Sequence, residues 1–194
     1  FNLTDDHNLT DNSNIKNLMS KILKEYNLID RKDEDLYKVL RVVTGKKSKK
    51  VSLDYHFDSH LLTMLVPIMI PNRENSDNGN LIILKNLRKV HNNIYLNIIQ
   101  KIFYQSLIFK KLLSFNLFNN IYKKEILNLK PGNIYIFNGF RTLHSNLNIN
   151  PEDVRATCLV HYYDIFKDSF LVKFNRSLRQ KKELKNFKND TRKN

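Results

Sequence analysis

The segment Tyr55-His56-Phe57-Asp58 carries an imidazole and a carboxylate two positions apart. On a β-strand such side chains project to the same face, so His56 and Asp58 can converge on one metal ion. Their surroundings favour a strand, because Val51, Leu53 and Tyr55 alternate with Ser52, Asp54 and His56. A third ligand has to come from elsewhere. Two histidines and one carboxylate fill one face of an octahedral Fe(II) and leave the other positions open, which oxygen activation requires. His144, just after the strand-like run Ile134 to Phe137, is the candidate for the second histidine. An isolated His-x-Asp arises easily by chance between unrelated histidines, so the order of the features around it decides.

That order is informative. His-x-Asp is followed by a β-rich run, then by Asn78-Gly79-Asn80-Leu81, then by Leu129-Lys130-Pro131-Gly132-Asn133 leading into Ile136-Phe137 and His144. Arg155 and Thr157 come later, on one face of a further strand. In this combination the sequence resembles the phytanoyl-CoA dioxygenase-like branch of the Fe(II)/2-oxoglutarate oxygenase superfamily, over roughly Val51 to Tyr163. The resemblance implies that His56, Asp58 and His144 hold the iron and that Arg155 binds the distal carboxylate of 2-oxoglutarate. It makes Thr157 and Thr63 further candidates for hydrogen bonds to that co-substrate. It also implies a double-stranded β-helix (a jelly roll, cupin-like), with Fe(II), 2-oxoglutarate and O2 as cofactor and co-substrates and with succinate and CO2 as co-products.

Elementary chemistry agrees with the role given to Arg155. Arginine presents two parallel N–H donors to a carboxylate, which lysine cannot reproduce. The alternative for Arg155 is an ordinary salt bridge to Glu152 or Asp153. Within the superfamily that the sequence resembles, halogenation needs a small residue in place of the carboxylate ligand, so the resemblance with Asp58 present implies hydroxylation of a C–H bond. Where family members carry Pro-Gly-Ser-His, this chain has Lys85-Asn86-Leu87-Arg88, and His91 stands near the motif's histidine without its glycine and serine. The substrate-side segment is therefore expected to be remodelled. His60 is rejected as a ligand, since it would pair with His56 only on a helix. His161 shares strand parity with Arg155 and Thr157 and reads as a satisfied buried histidine.

The elements that must position these residues follow from periodicity. Ile15, Leu18, Met19, Ile22 and Leu23 have helical spacing within Asn14 to Tyr26, with Ser13 as a cap. A second helix is expected from Asp33 to Val43, ending near Gly45. Leu61 to Ile70 and Leu81 to Leu84 read as strands, separated by a polar loop whose Asp77-Asn78-Gly79 signals a turn. Ile94 to Phe118 reads as an inserted helix with Ile98, Ile99, Ile102, Phe103, Leu107, Ile108, Leu112 and Leu113 near one face. Such a stripe must be buried, and it is expected to pack beside or over the mouth of the barrel, with cover of the outer sheet as the alternative. Strand character returns at Ile126 to Leu129, Ile134 to Phe137 and Val154 to Tyr163. The basic stretch Ser177 to Phe187 is either a terminal helix or disordered.

The expected organisation is a single mainly β domain with flanking helices over 1–194. It comprises a helical layer at 1–50, the jelly-roll core at 51–163 with a helical insertion at 92–122, and a basic segment at 164–194. The length of 194 residues and 41% hydrophobic content suit one domain with a substantial core. No run approaches the ~20 apolar residues of a membrane span. The single Cys158 allows no intrachain disulfide, which points to the cytoplasm. The first residue is Phe1 rather than Met, so the natural protein is expected to extend upstream.

The net charge of +14 raises nucleic acid as a partner. Abundant Lys, Asn and Ile beside four Gly, four Pro and no Trp instead match the amino-acid bias of an AT-rich coding sequence. Nucleic acid is therefore not the expected partner, and a small-molecule or carrier-bound substrate is. Two competing readings stay open: a peptidyl or protein hydroxylase using the same site through a wider mouth, and a non-catalytic basic jelly-roll module that binds nucleic acid.

Overall fold

The computed structural model describes residues 12–25, 35–44, 54–72, 78–113, 122–170, 172–174 and 177–178. Contacts divide the chain into two units, Phe1–Tyr163 and Asp164–Asn194. Among the described residues the first contains a helix α1 (Asn12–Glu25) and seven strands: β1 (Tyr37–Thr44), β2 (Leu62–Met69), β3 (Leu81–Leu84), β4 (Glu125–Leu127), β5 (Tyr135–Asn138), β6 (Leu143–Asn146) and β7 (Val154–Tyr162). Two inserted helices, α2 (Ile94–Gln105) and α3 (Leu107–Leu112), lie between β3 and β4 in the sequence. In the second unit, Asp164 Oδ1 accepts the Phe166 N–H at 2.9 Å, and the rings of Phe170 and Phe174 stack at 6.2 Å.

The large sheet has the order β1-β7-β2-β5 and the small sheet β4-β3-β6, with every pairing antiparallel. The segment before β2 joins the small sheet through a bridge between His56 and His144. The chain thus runs from the large sheet (β1) to the small (His56), back to the large (β2), and on to the small (β3, β4). It then returns to the large (β5), crosses to the small (β6) and ends on the large (β7). Two facing antiparallel sheets built by this alternation form a double-stranded β-helix, the jelly roll.

Side-chain alternation gives this body two apolar layers. Leu81 and Ile83 of β3 face between the sheets, where they meet Leu65 of β2 and Leu129, with Phe137 and Leu159 beside them. Ile82 and Leu84 point the other way, into a cluster with Tyr55, Phe57, Leu143, Phe109 and Leu113. All four residues of β3 are buried for that reason.

β1 replaces the expected helix at Asp33 to Val43. Leu36, Val39, Leu40 and Val43 have helical spacing, but Tyr37, Val39, Val42, Val43 and Thr44 favour extended backbone. Pairing with β7 over the full run from Tyr37 to Thr44 then decides the matter. Around His56 only the single bridge forms; Val51 to Leu53 lie outside the described residues. β6, which carries His144, has no counterpart among the expected strands: Leu143-His144-Ser145-Asn146 has one large apolar residue and so gives no periodic signal. α1 begins at Asn12, which puts Ser13 within its first turn, and buries Met19 and Leu23. The expected helix or disorder at Ser177 to Phe187 lies outside the described residues apart from 177–178.

The insertion also differs from expectation. Ser106 closes α2 and opens α3: its N–H donates to Phe103 O at 3.1 Å, and its Oγ accepts the Phe109 N–H at 3.2 Å. This break rotates the helical stripe out of register, so Ile102 and Leu107 are 65% and 83% exposed while Phe109 is 2% exposed. Phe109 and Leu113 dock on the outward face of the small sheet with Phe57, not on the rim of the barrel. The outer face of β3 needs an apolar cover, and α3 supplies it. Phe109→Ala is accordingly expected to lower unfolding free energy by about 3–5 kcal/mol, measured by denaturant titration. Among the described residues no helix is long and apolar enough to cross a membrane.

Candidate metal centre

His56 and His144 face each other across the bridge, each donating its backbone N–H to the other's carbonyl at 3.0 Å. A directly opposed pair puts both side chains on one side of the sheet, and the two rings lie 4.4 Å apart between centroids. Each Nδ1 is held by a nearby backbone carbonyl, His56 by Asp54 O at 2.9 Å and His144 by Thr142 O at 3.0 Å. Those contacts fix the tautomer and leave both Nε2 atoms as bases. Asp58 completes the group, its Oδ1 3.6 Å from His144 Nε2. One ligand atom from each of the three lies within 4.8 Å of the others, a spacing that fits a metal ion between two neutral imidazoles and a carboxylate.

The surroundings hold Asp58 in its ionised form. Burial alone would raise its carboxyl, but His144, His161, a hydrogen bond from Thr63 and His56 together bring it down to about 2. Thr63 Oγ1 donates to Asp58 Oδ2 at 2.5 Å and also meets His161 Nδ1 at 3.0 Å. The hydroxyl expected to face a co-substrate is thus engaged with the candidate carboxylate ligand. Gly139 closes the other side: its carbonyl accepts the Asp58 N–H at 3.0 Å, and a Cβ there would collide with Asp58 Oδ2 and Thr63 Oγ1.

His56 is pushed down to about 4, by burial first and by the neighbouring His144 second, against the pull of the Asp54 carbonyl and Asp58. It is therefore neutral in the folded protein where a solvated histidine, at 6.5, has already taken a proton. The unfolded chain binds the extra proton between those two values, so stability falls as pH falls through the window. Thermal melts of metal-free protein between pH 6.5 and about 4 are expected to show that decline, with a shallower slope in His56→Gln.

All six residues singled out from the sequence, His56, Asp58, Thr63, His144, Arg155 and Thr157, line one cavity that opens to solvent. Leu65, Leu81, Phe137 and Leu159 form its apolar wall. Arg155, 2% exposed, makes no ion pair with Glu152 or Asp153, and its Nε has no hydrogen-bond partner among the described residues. Burial and the neighbouring Arg41 lower its guanidinium to about 10, still charged at neutral pH. Thr157 Oγ1 is likewise buried without a partner. A buried guanidinium and hydroxyl left open beside a metal-type ligand set suit a carboxylate-bearing small molecule.

Three further residues shape the site. Gly79, at φ +71°, lets Arg155 pass: a Cβ there would stand 2.7 Å from Arg155 Cδ. Its signal was the Asn78-Gly79 turn, whose link to Arg155 is visible only in three dimensions. Arg88 lies between the rings of Phe57 and Phe140, 4.2 and 3.9 Å from their centroids, and its Nε donates to Phe140 O at 2.5 Å. It ties the segment between the candidate ligands His56 and Asp58 to the Gly139 turn. His161 sits at the cavity wall beside Thr63 and stacks on His60, 5.2 Å between centroids; neither is among the three converging ligands.

No family model and no curated protein matches this sequence. Among solved structures, the chain is similar to a prolyl-4-hydroxylase from Pseudomonas putida, at 10% identity and TM-score 0.44, over 78% of this chain and 63% of that one. A prolyl 4-hydroxylase from Phytophthora capsici gives 12% identity and TM-score 0.46 over 81% and 42% of the two chains. IDO from Bacillus thuringiensis gives 15% identity and TM-score 0.41 over 79% and 60%. The chain spans between 42% and 63% of the length of these structures.

Proposed function

We propose that this chain is an Fe(II)- and 2-oxoglutarate-dependent oxygenase of the phytanoyl-CoA dioxygenase-like branch, hydroxylating a C–H bond of a small-molecule or carrier-bound substrate. The observation that carries the reading is one cavity holding two imidazoles with free Nε2 atoms, a carboxylate and a buried arginine whose Nε has no partner among the described residues. Bound Fe(II) and 2-oxoglutarate would supply the chemistry: O2 is reduced, the keto acid becomes succinate and CO2, and a substrate C–H becomes C–OH.

The chain's own residues then have separate tasks. His56 and His144 offer Nε2 and Asp58 offers a carboxylate oxygen, with Thr63 steadying the other oxygen. Arg155 takes the far carboxylate of the co-substrate through its fork, with the Thr157 hydroxyl beside it. The apolar wall of Leu65, Leu81, Phe137 and Leu159 keeps water from the reacting centre.

The test is succinate formation from 2-oxoglutarate, with and without added Fe(II). Production that depends on Fe(II) and is lost in Asp58→Ala is the expected result. Calorimetry that detects no 2-oxoglutarate binding to the Fe(II)-loaded protein would overturn the reading.

A further inference from the structure

Arg41 belongs to the segment whose helical spacing misled the sequence reading, and its place on β1 changes what it can do. Alternation along β1 turns Val39, Arg41 and Val43 inward, and Arg41 stands opposite Thr157 in the ladder with β7. It lines the same cavity as His56, Asp58 and Arg155. Burial lowers its guanidinium, while Asp58 and Asp54 act in the opposite sense. Neither acid is bonded to it. Asp54 is paired with Lys110 Nζ at 3.2 Å, and Asp58 is engaged with Thr63 and the histidines. Among the described residues Arg41 has no hydrogen bond or ion pair.

The charge balance of the cavity shows what is missing, on the oxygenase reading above. A divalent metal on Asp58, with a doubly charged co-substrate shared between that metal and Arg155, adds to zero, since both histidines bind as neutral rings. Among the described residues Arg41 is then the one charge in the cavity without a counter-ion. A half-enclosed guanidinium is costly unless paired, and the group that pairs with it best is a carboxylate or phosphate.

We propose that Arg41 receives the acidic group of the primary substrate, so that the molecule oxidised is a small organic anion. Its acid end lies at the β1 edge and its carbon chain extends towards the metal ligands. Arg41 then determines specificity, and Arg155 serves the co-substrate.

The experiment is anaerobic calorimetry on the full chain loaded with Fe(II) and 2-oxoglutarate. Hexanoate, hexyl phosphate and hexanamide are the probes. The parent is expected to bind at least one of the two anions about ten-fold or more tightly than the amide. Arg41→Gln should lose that preference, Arg41→Lys should keep part of it, and both should bind 2-oxoglutarate within about three-fold of the parent. Whichever anion is preferred identifies a carboxylate or a phosphate as the group recognised. Equal binding of acid and amide by the parent overturns the proposal and leaves the oxygenase reading standing. A loss of 2-oxoglutarate affinity in Arg41→Gln as large as that in Arg155→Gln also overturns it, by making Arg41 a second anchor for the co-substrate. Failure of the Fe(II)-loaded parent to bind 2-oxoglutarate removes both readings together. A melting temperature near the parent's separates these outcomes from misfolding.

Discussion

Arg155→Gln is expected to weaken 2-oxoglutarate binding by about 2–5 kcal/mol, roughly 30-fold to several thousand-fold, with Fe(II) affinity close to the parent's. The guanidinium is buried with Nε unpaired, so a bound carboxylate meets a donor already desolvated and competes with no acid among the described residues. Arg155→Lys should fall between parent and Gln, because ammonium keeps the charge and loses the fork. Gly79→Ala tests the same point without touching the guanidinium. The added methyl would stand 2.7 Å from Arg155 Cδ on backbone at φ +71°, so the arginine must move and the co-substrate site with it. Calorimetry of 2-oxoglutarate and of metal, run separately on each variant, reads the two sites apart. Equal 2-oxoglutarate affinity in Arg155→Gln and the parent would remove Arg155 as the anchor.

The candidate site was more legible in the sequence than the elements that carry it. His56 and Asp58 share a segment, and the strand rule that places them on one side is purely local. His144 could be named from its order after Ile134 to Phe137, yet β6 itself could not be read: it is four residues long, and its strand conformation comes from pairing with β3. Arg41 was hidden for the converse reason. Local spacing in Asp33 to Val43 fits a helix, and only the free edge of β7, supplied by residues far along the chain, draws it out into a strand. The insertion shows a third limit. Ile98, Ile102 and Leu107 make a stripe on paper, but one serine at position 106 ends one helix and caps the next, and the residues that dock are set by that turn. Gly79 and Gly139 escaped because their role is an absent Cβ, needed only once Arg155 and Asp58 have been brought beside them.

Asp58→Ala is expected to weaken Fe(II) binding more than about 100-fold, beyond the about 10–100-fold typical of losing a group that merely supports a metal ligand. Among the described residues Asp58 is the only carboxylate of the converging set, and no other acid lines the cavity. Without it, a divalent cation would face two neutral rings and the positive field of Arg41 and Arg155. Gly139→Ala sharpens the test because it leaves every ligand atom in the protein. Its methyl would collide with Asp58 Oδ2 and Thr63 Oγ1, so either the carboxylate turns away from the histidines or the Gly139 turn shifts and loosens the Asp58 N–H bond. In both cases the carboxylate leaves its set position, and Fe(II) affinity should fall by about 10–100-fold. Thr63→Val removes the hydroxyl that holds Oδ2 while adding no bulk, and should lie at the low end of that range. Anaerobic Fe(II) titration of the three variants beside their melting temperatures gives the order. If Asp58→Ala binds Fe(II) as the parent does while remaining folded, the cavity is not the metal site. If Gly139→Ala weakens binding only in proportion to a lost melting temperature, its methyl has disturbed the fold and not the position of the carboxylate.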